Sequence, residues 1–289
     1  MPDARFPSLE SELLGVAHRA ARAAGSELLE HRRRGPIDVR TKSTPTDPVS
    51  AADLAAEAAI RELLARERPG DAILGEEGGA TPGDGGGLRW VVDPLDGTVN
   101  YLYGLPNFAV SVACEDPDGV LVGVVLDPLR GESYAATRSG PAVRVTDAGG
   151  DGGGGGGGGA AIVASSCDRL DRALISTGFA YEPAVREAQG RVLTRMLPLI
   201  RDVRRAGAAA LDLATCACGH VDAYFERGVK AWDVAAGGLI CERAGLVVRR
   251  LAEVPAGGSH PWMPDGVVVA PPALIDQLEA LVSGPPPGS

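Results

Sequence analysis

Apolar residues at Leu9, Leu13, Val16, Ala17, Ala20, Ala24 and Leu28 recur at helical spacing and predict a helix over residues 9–34. Ser8 fits its N-cap, Glu10 and Glu12 its first turn, and the run HRRR followed by Gly35-Pro36 its end. A second helix is predicted at about 50–66. The pattern then changes: ILGEEGGATPGDGGG, with seven Gly between 75 and 87, reads as a flexible loop without regular structure. RWVVDPLDGTVNY reads as an apolar strand that stops at a carboxylate. AVSVACE and GVLVGVVLD are β-branched runs joined by the turn residues DPDG, so this half is expected to pair antiparallel.

Ten of the eleven residues from 149 to 159 are Gly, which predicts a mobile linker. Beyond it strands and helices alternate. AIVASS is a predicted strand, 184–200 and GAAALDLATCACG are helices, VDAYFE a strand, WDVAAGGLICERAG a helix, GLVVRRL and DGVVVA strands, and PPALIDQLEALV the last helix. The expected organisation is an α+β domain at 1–147, a Gly-rich linker at 148–160 and an α/β domain at 161–289.

Composition narrows the chemistry. The chain has 289 residues, 45% of them apolar, and a formal net charge of −10. That suffices for a real core and speaks against partners held by bulk positive charge, so no nucleic acid is expected. No stretch approaches the roughly 20 uncharged apolar residues of a membrane span, and acidic residues near the start do not fit a signal peptide, so a cytoplasmic protein with no membrane partner is expected. Five scattered Cys read as reduced thiols, and four His carry no zinc spacing. A metal, if bound, has to be held by carboxylates, which suit Mg²⁺, Mn²⁺ or Ca²⁺.

The richest segment is Asp93-Pro94-Leu95-Asp96-Gly97-Thr98. Pro94 extends Asp93, and a bend brings Asp96 beside it; two carboxylates that close repel unless a cation lies between them. Asp-Pro and Asp-Gly are also ordinary turn dipeptides. Glu76, Asp53 and Asp233 supply further carboxylates, although Asp53 completes an S-x-x-D capping box with Ser50, and Asp233 fits the cap of a helix beginning at Val234.

GEE at 75–77, DPLDGTVNY at 93–101 and WDVAAG at 232–237, in this order, resemble the inositol monophosphatase family. KSTPTDPVSAAD, RRAGAAALDL and DAYFERG extend the resemblance from the first helix to about residue 250. It implies a layered αβαβα sugar-phosphatase fold, shared with fructose-1,6-bisphosphatase, with an antiparallel-sheet first half and an α/β second half. It also implies a Mg²⁺-dependent phosphomonoesterase acting on a small phosphate ester, inositol monophosphate first among them. Mn²⁺ is a possible substitute and Li⁺ and Ca²⁺ are expected inhibitors.

Residue by residue, the resemblance makes Glu76 a ligand of the first of two or three metals, Asp93 a bridging ligand, the Leu95 carbonyl a ligand of the first metal, and Asp96 and Asp233 ligands of the second. Thr98 and Asp53 resemble the pair that takes a proton from the attacking water, with Glu76 helping to hold that water. The amides of Gly97 and Thr98 would hold phosphate oxygens, while Asp96, Ala209, Glu226 and Asp233 would meet substrate hydroxyls. Lys42, one of two lysines with Lys230, resembles a lysine at the mouth of the site. Ala208 departs from the usual Ser or Thr, and Asp212 and Lys230 resemble bacterial members. Relatives acting on histidinol phosphate, fructose 1,6-bisphosphate or adenosine 3′,5′-bisphosphate are the alternatives, together with regulatory members that bind protein partners. A homodimer is expected from the resemblance alone.

Overall fold

The computed structural model describes residues 8–34, 39–41, 48–146, 159–255 and 262–283. Lys42 and the glycines before Gly159 in the 149–159 run lie outside them. Helix α1 (Leu9–Arg34) keeps the predicted limits and buries its small and apolar stripe. The short strands β1 (Val39–Thr41) and β2 (Pro48–Ser50) pair antiparallel and lead into α2 (Ala51–Glu67).

The segment predicted to be a flexible loop contains two strands, β3 (Ala72–Gly75) and β4 (Gly79–Thr81), joined by a tight turn. Strand β5 (Arg89–Asp96) pairs parallel to β3 on one side and antiparallel to the next strand on the other. The short helix α3 (Thr98–Leu102) precedes β6 (Ala109–Asp116), β7 (Gly119–Asp127), β8 (Glu132–Thr137) and β9 (Val143–Thr146), an antiparallel meander. The predicted strand AIVASS shrinks to β10 (Ala160–Ala161), which adds to β9 at the edge of the same sheet.

A second sheet is built from β11 (Leu174–Thr177), β12 (Asp202–Arg204), β13 (Ala223–Arg227), β14 (Val247–Leu251) and, after a small pairing of β15 (Val254–Pro255) with β16 (Trp262–Met263), β17 (Gly266–Ala270). Its order is β12-β11-β13-β17-β14, parallel around β11 and antiparallel around β17. The helices are α4 (Pro183–Met196), α5 (Ala209–Ala217), α6 (Ala231–Arg243) and α7 (Ile275–Val282).

Three cores set the layers. One fills the space between the α1–α2 pair and the eight-stranded sheet. The second places α5 and α6 between the two sheets, and the third packs α4 and α7 on the far face of the five-stranded sheet. The result is the expected αβαβα stack. Its middle layer fixes the site, because both sheets press on α5 and α6. At Gly123 of β7 the sheet comes so near α6 that a Cβ would lie 2.7 Å from Ala236 Cα. No helix of the described residues is long and apolar enough to cross a membrane.

Candidate active site

Strand β5 does not stop at Asp93. It runs to Asp96, with Asp93 opposite Ser111 and Asp96 opposite Ala109, so three steps on β5 match two on β6. That surplus residue is a bulge. In a regular strand residues three apart face opposite sides; the bulge resets the alternation and puts both carboxylates on one side. Asp93 is anchored by the Leu95 amide, which donates to its Oδ1 at 2.9 Å.

Asp96 is held from another layer. The amides of Ala209 and Ala210 donate to its two carboxylate oxygens at 3.1 and 2.7 Å. Helix α5 begins after Ala208, which has no side-chain acceptor, so Asp96 acts as its cap from a strand more than a hundred residues away. Gly97, at φ +88°, turns the chain between β5 and α3 where a Cβ would lie 2.9 Å from Asn107 O. A side chain there would meet both strain and a clash.

Asp53 occupies the third position of α2 and accepts from the Ser50 amide at 2.9 Å and the Ser50 hydroxyl at 2.5 Å. It is also reached by Thr98, whose Oγ1 lies 3.2 Å from Asp53 Oδ1 and 3.1 Å from the Leu95 carbonyl. Asp53 is therefore both a cap of α2 and a hydrogen-bond partner of Thr98. Asp233 is likewise the third residue of its helix, which starts at Ala231 rather than Val234; its Oδ2 accepts the Lys230 amide at 2.6 Å.

Glu76 follows the end of β3, its amide bonded to Val92 O at 3.3 Å. Asp93 lies close to both Glu76 and Asp233. Burial, then the charges of Glu76, Asp96 and Asp233, raise the Asp93 pKa well above the ordinary carboxylate range. Burial and Asp233 raise Asp96 in the same way, and burial pushes Asp233 up to about 6 against the opposing Lys230 amide. Glu226 is pushed by burial up to about 7, opposed by the Tyr224 hydroxyl, which donates to its Oε2 at 2.8 Å.

These groups line one open cleft of about 880 Å³, which also receives Leu95, Gly97, Thr98, Ala209 and Lys230. Phe179 and Tyr181, which no motif signalled, also line it, together with Arg205 of the RRAGAAALDL segment. Asp212 accepts from Ser176 Oγ at 2.5 Å while its Oδ2 is buried without a partner.

Among the described residues, no three or more His, Cys, Asp and Glu side chains are so arranged that they could hold a metal ion as they stand. Asp96 is turned onto amides and Asp93 onto its acidic neighbours. The donor chemistry nevertheless fits a divalent cation. Burial and mutual repulsion disfavour ionisation of Asp93, Asp96 and Asp233, with the Glu76 carboxylate beside them, and oxygen-rich anionic clusters are what hard cations take.

A family model described as the inositol monophosphatase family matches residues 9–283. The chain belongs to the inositol monophosphatase family. The protein named Inositol-1-monophosphatase SuhB of Mycobacterium tuberculosis strain H37Rv is 41% identical over 285 residues, covering 96% of this chain and 93% of the relative. A Pasteurella multocida relative named Nus factor SuhB is 37% identical over 269 residues, covering 92% and 94%. The crystal structure of the extragenic suppressor protein SuhB of Bartonella henselae superposes with a TM-score of 0.80 at 30% identity, over 95% of this chain and 100% of that one. Inositol monophosphatase family members are generally metal-dependent and act on small phosphate esters, and the αβαβα layering here is theirs.

Proposed function

We propose that the chain is a Mg²⁺-dependent phosphomonoesterase that hydrolyses a small polyol or cyclitol phosphate, with inositol monophosphate as the preferred substrate. The observation that carries this reading is the contact of Thr98, which lines the cleft together with Glu76, Asp93, Asp96, Asp233 and Glu226, with Asp53 buried behind it. Glu76, Asp93, Asp96, Asp233 and the Leu95 carbonyl would hold the cations, which when bound activate water and neutralise charge on the phosphoryl group and on the departing oxygen.

The protein's own groups do the rest. Asp53 accepts from Thr98, and Thr98 can then receive a proton from an approaching water and pass its own to Asp53. Gly97 and Thr98 present amides at the turn into α3, where phosphate oxygens fit. On the alcohol side, Glu226 with its Tyr224 partner accepts from a hydroxyl, and Ala209 keeps the floor small. In the net reaction water attacks phosphorus, the phosphorus–oxygen ester bond breaks, and alcohol and inorganic phosphate leave.

Phosphate release from inositol 1-phosphate, histidinol phosphate, fructose 1,6-bisphosphate and adenosine 3′,5′-bisphosphate, with and without Mg²⁺ and Li⁺, tests the reading. Inositol 1-phosphate is expected to give the largest kcat/KM, with turnover abolished by chelator. Undiminished turnover in excess chelator sinks the metal mechanism. Relatives bearing the name Nus factor SuhB support a second reading, a regulatory role with a protein partner. A chain that folds, binds Mg²⁺ and turns over none of the four esters favours that one.

A further inference from the structure

The Glu76 turn has a clamp that none of the motifs contains. Glu57 lies one helical turn after Asp53 on α2, is 3% exposed, and points at the β3–β4 turn. Its Oε2 accepts the Glu77 amide at 2.7 Å and its Oε1 the Gly78 amide at 2.8 Å. One further turn along, Arg61 donates to Glu57 Oε1 at 2.7 Å through Nε, to the Gly79 carbonyl at 2.7 Å through Nη2 and to Thr81 Oγ1 at 2.9 Å through Nη1. Two adjacent side chains of one helix thus hold the turn that follows Glu76 and the strand β4 that leaves it.

The glycines are explained by the same contact. A Cβ on Gly75 would lie 2.5 Å from Glu57 Oε1, and one on Gly78 2.7 Å from it. At these two positions glycine leaves room for a carboxylate to reach the backbone; it does not serve mobility.

We propose that Glu57, braced by Arg61, is a positioning residue that fixes Glu76 against the Thr98–Asp53 pair. Asp53 and Glu57 share one face of α2, so a rigid helical turn sets the offset between the proton-accepting pair and the Glu76 carboxylate. This inference rests on the proposed catalytic role of Glu76. A buried carboxylate accepting two main-chain amides is a strong and directional tether, and groups that orient metal ligands from behind typically govern affinity by about 10–100-fold.

The test uses the full chain and Glu57→Gln, with Glu76→Gln as control and Arg61→Lys as a second variant. The measurements are Mg²⁺ affinity of the metal-free protein by calorimetry, amide exchange over residues 72–81, thermal stability, and kcat and KM on inositol 1-phosphate. In the wild type the Glu77 and Gly78 amides should be protected although they lie in a turn. Glu57→Gln should expose them, weaken Mg²⁺ binding about tenfold and lower kcat about tenfold while KM stays within about twofold. Arg61→Lys should move the same readouts in the same direction by a smaller factor.

Unprotected Glu77 and Gly78 amides in the wild type overturn the clamp. Wild-type Mg²⁺ affinity in Glu57→Gln, with Glu76→Gln impaired, overturns positioning alone and leaves the catalytic reading standing. Wild-type affinity in Glu76→Gln removes both. If Glu57→Gln does not fold, Arg61→Lys and wild-type exchange decide by the same criteria.

Discussion

Asp53 and Asp233 occupy the same local position: each is the third residue of a helix, and each accepts the main-chain amide of its helix's N-cap residue. Their surroundings differ. Asp53 is completely buried and is met by two hydroxyls, from Ser50 and Thr98, so its neighbours are donors. Asp233 begins a helix whose N-cap is Lys230, and it faces Asp93 and Glu76, which are acids. On the proposed function, one local position thus serves two chemistries, a proton acceptor at Asp53 and a cation ligand at Asp233. What decides is the company that the tertiary fold provides.

Replacing each in turn should separate the two. Asp233→Asn should cost several orders of magnitude in kcat and abolish the rise in melting temperature that Mg²⁺ gives the wild type, while the metal-free variant stays folded. Mg²⁺-dependent stabilisation that survives in Asp233→Asn breaks the contrast. Asp53→Asn should lower kcat by about 10²–10³-fold, the range of a lost proton acceptor, yet retain Mg²⁺ affinity within a few-fold. Calorimetry alongside steady-state rates checks this, and equal loss of affinity in both variants would show the two carboxylates to be doing one job.

The pH dependence sharpens the same point in the metal-free protein. Burial raises Asp212 to about 6 despite the Ser176 hydroxyl, and Asp233 to about 6. Both carboxyls are more readily protonated folded than unfolded, so their contribution to stability is complete below pH about 4 and is lost as the pH rises through about 6. For Asp212 the span from 3.8 to about 6 corresponds to about 3 kcal/mol. Asp212→Asn should flatten that part of the denaturation profile; a profile identical to wild type contradicts the burial account. The smallest effect expected is Ser50→Ala, which removes a cap from α2 and costs about 1 kcal/mol by urea denaturation, with activity falling less than tenfold.

How much of the fold and site is legible in the sequence depends on the range of the interactions. The limits of α1 follow from a stripe of small apolar residues and a basic, Gly-Pro ending, both local. The Ser50–Asp53 box is readable for the same reason. The Thr98–Asp53 contact spans 45 residues and comes from family resemblance, not from spacing. Strand β5 reads as stopping at Asp93 because Pro and Asp are turn residues; pairing with β6 carries it on to Asp96 through a bulge. Glycines at 75, 78 and 79 read as flexibility, whereas the backbone is approached by Glu57 and Arg61 from α2. The i, i+4 series Asp53, Glu57, Arg61 is the available signal. Nothing local marks Asp96 as the cap of α5, since its partners lie in another layer.

The Thr98 hydroxyl carries one hydrogen and has two acceptors at nearly equal reach, Leu95 O at 3.1 Å and Asp53 Oδ1 at 3.2 Å. It is a rotor with two stops. An occupant of the cleft that draws on the Leu95 carbonyl would weaken that stop and favour Asp53 as the destination. On the proposed function, occupancy of the cleft would thus bias the Thr98 hydroxyl toward its proton acceptor through a single side-chain torsion.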